Sequence, residues 1–491
     1  MPEMTARRRL LILTICCMSL LIVGMDNTIV NVALPSIRRE LGASVSGLQW
    51  TIDAYTVVLA SLLILSGSTA DRLGRRRTFQ TGLVLFTLGS LLCSIAPGLG
   101  WLVAFRMVQA VGGSMLNPVA MSIITNVFTD PRERARAIGV WAGVIGISMG
   151  IGPVAGGLLT ETVGWRAIFW INVPIGIAAA VLAALFVPES RAPRARRLDP
   201  VGQLLVITAL LGLTYAIIEA PRRGWSAPPI WALALVAVAA ILALIRYESR
   251  RTDPLIDLRF FRSIPFSGAT LIAISAFGAF AGFLFLNTLY LQDVRGLSAL
   301  RAGLLTLPMA VMTSLFAPLS GRLVGSRGNR LPLLVAGVTM TAGALGLTGL
   351  TATTSYAWLI GAYVVFAIGF GMVNAPITAT AVSGMPRSQA GVAAAVASTS
   401  RQVGASLGVA IVGSAVSAGA AASTSTRFVA ASHAGWWVIA LLGLAVLVVG
   451  AFTTTGRAQR SLDRTAALFQ DEASSDERSG TGIRRVPAAR P

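Results

Sequence analysis

An all-α integral membrane protein is the fold class that this sequence predicts, and three observations predict it. Hydrophobic residues make up 55% of the 491 and charged residues only 12%, whereas soluble domains carry about 25% charge. So few charges cannot clothe a water-facing surface. Apolar runs near the ~20 residues that a helix needs to cross the hydrocarbon recur fourteen times. None of them alternates as a barrel strand would, and a backbone that must satisfy its own hydrogen bonds in lipid has to be helical.

In chain order the runs are 10–34, 48–68, 79–97, 101–126, 137–160, 167–187, 201–219, 228–246, 267–291, 302–324, 331–350, 356–380, 390–419 and 434–454. Arg7, Arg8 and Arg9 precede the first, as in a signal peptide. That run continues past Gly24 without a small-x-small cleavage site and reads as a first crossing helix. Every basic residue except His433 is arginine. With the N-terminus inside, thirty of the forty arginines fall in cytoplasmic segments, among them Arg194, Arg196, Arg197 and Arg387, and eight fall in outer ones. This is the positive-inside bias, and it accounts for the net charge of +20 without nucleic acid. Eight tryptophans, including Trp165 and Trp436, fall near outer helix ends. Cys16, Cys17 and Cys93 lie inside apolar runs and His433 reads as loop, so neither disulfides nor a metal site are expected.

Residues 1–9 read as a cytoplasmic N-terminus and 456–491 as a disordered cytoplasmic tail rich in Ser, Asp, Glu and Arg. The polar stretch before the ninth run contains Pro254-Leu-Ile-Asp-Leu-Arg-Phe-Phe261, which could form a short interfacial helix.

A repeat divides the rest. Gly67-Ser-Thr-Ala-Asp-Arg-Leu-Gly-Arg-Arg-Arg77 follows the second run and Gly321-Arg-Leu-Val-Gly-Ser-Arg-Gly-Asn-Arg330 follows the tenth, aligned at an offset of 254 residues with Gly325 in the place of Asp71. Transporters often carry internal repeats. This one separates six helices (10–187), a linker with two inserted helices (188–266) and six more (267–455). The first copy resembles the G-x-x-x-D-R-x-G-R-[RK]-[RK] loop of the major facilitator superfamily, and the six-two-six arrangement is similar to its fourteen-helix drug:proton antiporters. Met25-Asp-Asn-Thr-Ile-Val-Asn-Val-Ala-Leu-Pro35 resembles that group's first-helix motif. Arg106-Met-Val-Gln-Ala-Val-Gly112 resembles the superfamily's fourth-helix arginine motif. Gly139 through Gly152-Pro-Val-Ala-Gly-Gly157 resembles the antiporter motif of helix 5, with Ser148 where a glycine is usual. The resemblance covers residues 10 to about 455. It implies the major facilitator fold, two six-helix bundles working by alternating access.

Asp26 lies about sixteen residues into the first run. A charge at bilayer depth costs at least ~2.5–3.5 kcal/mol. Asp26 is therefore either satisfied structurally by neighbours such as Asn27 or Thr28, or it carries a proton. Arg106 enters its run from the outer side and reaches a similar depth, as a structural ion pair or as the group that tunes Asp26. The resemblance favours proton coupling. Asp53, one turn into the second run, is an interfacial helix-start carboxylate or a substrate-facing acid near the outer mouth, and is the second coupling candidate. Gly67, Asp71, Arg72, Gly74 and Arg75 read as a cytoplasmic gate, against plain positive-inside topology. Gly139, Gly152, Gly156 and Gly157 would let helix 5 approach another helix closely, and Pro153 would bend it. Asn31, Gln109, Asn374 and Arg401 are candidate cavity residues, with Asn374 and Pro376 interrupting the twelfth helix.

Together these readings point to a proton-driven antiporter that exports small lipophilic compounds, drugs or antibiotics, through the cell membrane. Both termini are expected in the cytoplasm, with protons and lipid as the other partners and no cofactor. After Asp257 the only acid before the tail is Asp293, so coupling is expected to rest in the first bundle and substrates to be neutral or cationic. No G-x-x-x-x-G-K-[ST] loop is present to use ATP. The rivals are a proton-coupled transporter of a specific endogenous metabolite and a membrane enzyme. The second would need a catalytic cluster at one face, and no His pair, acidic metal motif or nucleophile elbow appears.

Overall fold

The computed structural model describes residues 5–191, 199–251, 254, 257–385, 390–420 and 425–480. Arg194, Arg196, Arg197, Arg387 and the tail beyond Gly480 lie outside the described residues. The helices are α1 (Ala6–Leu41), α2 (Val45–Leu73), α3 (Arg75–Ser94), α4 (Leu99–Val127), α5 (Pro131–Thr162), α6 (Ala167–Trp170), α7 (Asn172–Phe186), α8 (Pro200–Arg223), α9 (Pro228–Glu248), α10 (Ile264–Leu289), α11 (Ala299–Arg327), α12 (Arg330–Leu345), α13 (Tyr356–Val382), α14 (Ala390–Ala420), α15 (Ser425–Thr453) and α16 (Gly456–Gly480). A π-helical turn, Tyr290–Val294, prolongs α10. A 3-10 turn, Leu258–Arg262, occupies the segment where a short interfacial helix was expected.

Helix starts follow from capping chemistry. A hydroxyl or carboxylate accepts from orphan N–H groups of the first turn at Ser44 before α2, Asp130 before α5, Asp199 before α8 and Ser298 before α11. The tight links after α2 and α11 each turn on a glycine with positive φ, Gly74 (115°) and Gly328 (77°). The two glycines are equivalent in the repeat, and the left-handed backbone there favours a residue without a Cβ.

Among the described residues, eleven helices are long and apolar enough to cross a membrane. The runs at 79–97, 331–350 and 390–419 fall in α3, α12 and α14, which are not among the eleven. Arginines open α3, α12 has only 16 residues, and α14 carries Ser, Gln and Arg401 along its length.

Helices α1 to α7 pack chiefly on one another, as do α10 to α15. The two groups meet along α5 and α11 on one side and along α2 and α14 on the other. α8 packs on α9 and also on both α2 and α14, so it lies over that second seam. Gln203 of α8 donates to the Ser61 carbonyl of α2, and Trp50 of α2 donates to Glu219 of α8 at 3.1 Å.

The hydrogen bonds joining the two groups cluster at the end of the bundle away from Ala6 and Thr453. Gln49 donates to the carbonyls of Val409 (3.1 Å) and Ala410 (2.9 Å). Gln292 donates to Val32 O (2.8 Å), and Leu300 N donates to Glu161 (3.2 Å). Arg38 pairs with Asp293 at 3.2 Å.

Four readings need correction. Residues 456–480, expected to be disordered, form α16. Ala458, Leu462 and Thr465 recur at helical spacing and are buried, and the helix packs against α10 and the 3-10 turn. His433 lies inside α15, not in a loop, with Nε2 2.8 Å from Leu350 O. Pro376 does not interrupt its helix, because α13 runs unbroken through Asn374 and Pro376. Trp165 and Trp436 are buried, unlike Trp101, Trp225, Trp231, Trp358 and Trp437, whose exposed rings suit an interface.

Candidate functional site

The sequence places one carboxylate in α1 and one guanidinium in α4 at matching depth, and the packing of α1 on α4 brings them together. Asp26 is 0% exposed and Arg106 1%. Arg106 Nη1 donates to Asp26 Oδ2 at 2.5 Å and to Gln109 Oε1 at 2.7 Å. Gln109 Nε2 donates to Asp26 Oδ1 (2.9 Å) and to Ser90 of α3 (2.7 Å). Arg106 Nε donates to Thr51 O of α2 at 3.2 Å, and its guanidinium carbon lies 4.2 Å from the centroid of the Tyr55 ring. A buried ion pair repays its desolvation only when its remaining groups are hydrogen-bonded. Here both carboxylate oxygens are engaged. Gln109, read as a cavity residue, belongs to this network instead.

Asp53 is also 0% exposed. α2 begins at Val45, so Asp53 lies eight residues in, about 12 Å at 1.5 Å per residue, and not one turn. Asp53 is therefore not a helix-start carboxylate. Thr56 donates to its Oδ1 at 3.3 Å, and Oδ2 is buried without a hydrogen bond. No cation pairs with it among the described residues. It faces Ser406 of α14, on the seam between the two helix groups.

α5 meets α1 with one face and α11 with another. A Cβ on Gly152 would strike Thr28, and one on Gly156 would strike Ile29. A Cβ on Gly157 would lie 2.6 Å from Ala299 O, and one on Gly303 of α11 would lie 2.3 Å from Pro153 O. Backbone-to-backbone approach this close needs glycine on each side. Gly139 has nothing within 4 Å of its would-be Cβ and makes no such approach. Ser148, in the usual glycine position, is buried against Gly24 of α1, so the missing small residue is supplied by the partner helix. A cavity between the groups is lined by Thr28, Met149, Pro153, Phe280, Leu284, Thr306 and Met309.

Across the link between α2 and α3, Asp71 in the last turn of α2 pairs with Arg75 at the start of α3 at 3.0 Å. Glu189 accepts from the backbone N–H groups of Arg76 (3.1 Å) and Arg77 (3.3 Å) and so caps α3. A Cβ on Gly74 would collide with that carboxylate, whereas one on Gly67 would meet nothing. Arg72 is exposed. Asn31 donates to Asn27 O at 3.1 Å while its Oδ1 is buried without a partner. Asn374 is partly buried on α13. Arg401 of α14 donates to Thr378 of α13 at 2.5 Å and to Ser398 at 3.4 Å.

The major facilitator superfamily model matches residues 16–409. The chain belongs to the major facilitator superfamily. It is 35% identical to the multidrug resistance protein Stp of Mycobacterium tuberculosis (strain CDC 1551 / Oshkosh), covering 84% of this chain and 76% of that one. It is 36% identical to the tetracenomycin C resistance and export protein of Streptomyces glaucescens, covering 80% and 73%. It is 35% identical to the multidrug efflux pump LfrA of Mycolicibacterium smegmatis, covering 83% and 81%. Among solved structures, the POT family transporter PepTSo matches with a TM-score of 0.65 at 15% identity, covering 94% of this chain and 99% of that one. A bacterial homologue of the human lysosomal transporter Spinster matches at 0.62 and 17%, with the same coverage. These two likenesses show the fold.

In this superfamily member, sequence reasoning found the charges of the buried network but not Ser90, Thr51 or Tyr55. Nothing in a single sequence marks a serine on the preceding helix as a glutamine's acceptor. Glu189 and Glu219 were missed as well. Glu219 carried a signal, an acid one turn before Arg222 and Arg223 at the end of an apolar run.

Proposed function

We propose that this chain is a proton-driven antiporter that exports small lipophilic compounds across the cell membrane through fourteen crossings, grouped as two six-helix bundles and two inserted helices. The observation that carries the reading is the buried Asp26–Arg106–Gln109 network. It holds a titratable carboxylate inside the first bundle, and its surroundings are otherwise neutral. The names of the relatives, multidrug resistance and antibiotic export, favour drugs over a single endogenous metabolite. One proton driven by roughly 150 mV supplies about 3.5 kcal/mol, which at 1.4 kcal/mol per decade sustains a gradient of a few hundredfold. In reconstituted vesicles, adding a transported compound should release protons. A panel of lipophilic compounds that releases none, while one polar metabolite does, would reverse the choice of substrate.

The far end tied by Gln49, Gln292 and the Arg38–Asp293 pair is the outer gate in this reading, with both termini in the cytoplasm. Cysteine placed at Arg223 should react with an impermeant thiol reagent added outside cells, and cysteine at Arg191 should not. The opposite pattern would invert the orientation.

Asp71 with the arginines after it is the hinge of the cytoplasmic gate. Asp71→Asn should slow maximal transport roughly tenfold and leave affinity near wild type, because it removes one ion pair of the loop. A rise in KM at unchanged maximal rate would place Asp71 in substrate binding instead.

A further inference from the structure

We propose that Arg401 on α14 is an anion-recognition site that takes the acidic group of a planar aromatic compound. This rests on the export reading above and widens its substrate class. Arginine has five N–H donors, and this one donates to two neutral hydroxyls, Thr378 and Ser398. Its Nε is buried without a hydrogen bond. Among the described residues no carboxylate pairs with it. Asp293 is the only acid between 264 and 453, and it is paired with Arg38 at the far end. Arg106, deep in the fourth apolar run, is paired with Asp26. An uncompensated guanidinium among membrane helices is costly to keep, and an incoming anion would supply both the missing charge and an acceptor for Nε.

The surroundings indicate what carries that anion. The guanidinium carbon lies 5.8 Å from the centroid of the Phe277 ring on α10. Phe277 meets Phe370 edge-on at 5.2 Å, and Phe370 stacks on Phe280 at 4.0 Å with an interplanar angle of 6°. Phe280 lines the cavity between the two helix groups. Phe277 is only partly buried and Thr378 is exposed, so the guanidinium and one aromatic face adjoin surface that a ligand can reach. A planar ring would pack on the phenylalanines while its carboxylate meets the guanidinium fork. A lipid phosphate would use the fork alone.

The test compares 2-naphthoate with neutral 2-naphthamide, by equilibrium binding to the full chain in phosphatidylcholine vesicles, with binding to protein-free vesicles subtracted. The wild type should bind the acid about tenfold tighter, charge-assisted hydrogen bonds being roughly twice as strong as neutral ones. Arg401→Gln should bring the acid-to-amide ratio to about one, whatever it does to overall affinity, and Arg401→Lys should keep part of it. A wild-type ratio near one, or a tenfold ratio surviving in Arg401→Gln, would overturn the proposal. So would a preference erased by one-third phosphatidylglycerol, which would assign the site to lipid phosphate. Absence of export for every compound would instead strike the export reading, since the ratio is read by binding alone.

Discussion

Asp26→Asn is expected to abolish uphill export, taking a gradient of a few hundredfold to none, while the protein stays folded and inserted. The amide keeps the size of the side chain and one oxygen to accept from Arg106, and it cannot take up or release a proton. Removing one partner of a buried pair usually destabilises by about 3–5 kcal/mol. Here the loss is cushioned, because Arg106 retains Thr51 O, Gln109 Oε1 and the Tyr55 face. A coupling carboxylate must also be tolerated in its neutral form during the cycle, and asparagine imitates that form. The measurement is accumulation of a lipophilic compound in vesicles with an imposed pH gradient, with and without an uncoupler. If the variant still builds a gradient that the uncoupler collapses, Asp26 is not essential for coupling.

Asp53→Asn should lower export of monovalent lipophilic cations at least tenfold and leave neutral compounds near wild type. Asp26 is already offset by Arg106, whereas Asp53 is buried among neutral hydroxyls, with no cation paired to it among the described residues. That makes it the carboxylate available to a positive substrate. A dication would need two such groups in a low-dielectric cavity, and the second helix group offers none, so dicationic dyes should be poor substrates of the wild type. Vesicle assays read both. Efficient export of a dicationic dye, or equal loss of cations and neutral compounds in the variant, would refute the assignment. The Arg401 site treats acids separately and does not alter this expectation.

Much of the architecture was legible because lipid imposes it locally. Hydropathy and length locate helices when the backbone has no other partner for its hydrogen bonds, so most of each apolar run lies in helical backbone. The repeat was legible because a tight link needs a particular residue, and Gly74 and Gly328 both sit at positive φ. The pairing of Asp26 with Arg106 could be anticipated from depth along two helices that enter from opposite sides. α16 was misread because its few apolar residues were judged against a membrane standard, although Ala458 and Leu462 bury one face of an amphipathic helix.

Composition and apolar runs determined by themselves that the chain is a helical membrane protein, and the paired loops raised the expectation of two related parts, with a deep carboxylate and guanidinium pair in the first. Only the tertiary structure decided which faces meet. It put Gln109 into the ion network rather than the cavity, sank Asp53 into the seam against α14, and set Ser148 against Gly24. It also laid α8 across both helix groups and left Arg401 without an acidic partner among the described residues. The reason is physical. Helix formation depends on each segment's own backbone and its solvent, whereas these contacts depend on rotation and crossing of helices hundreds of residues apart, which packing settles.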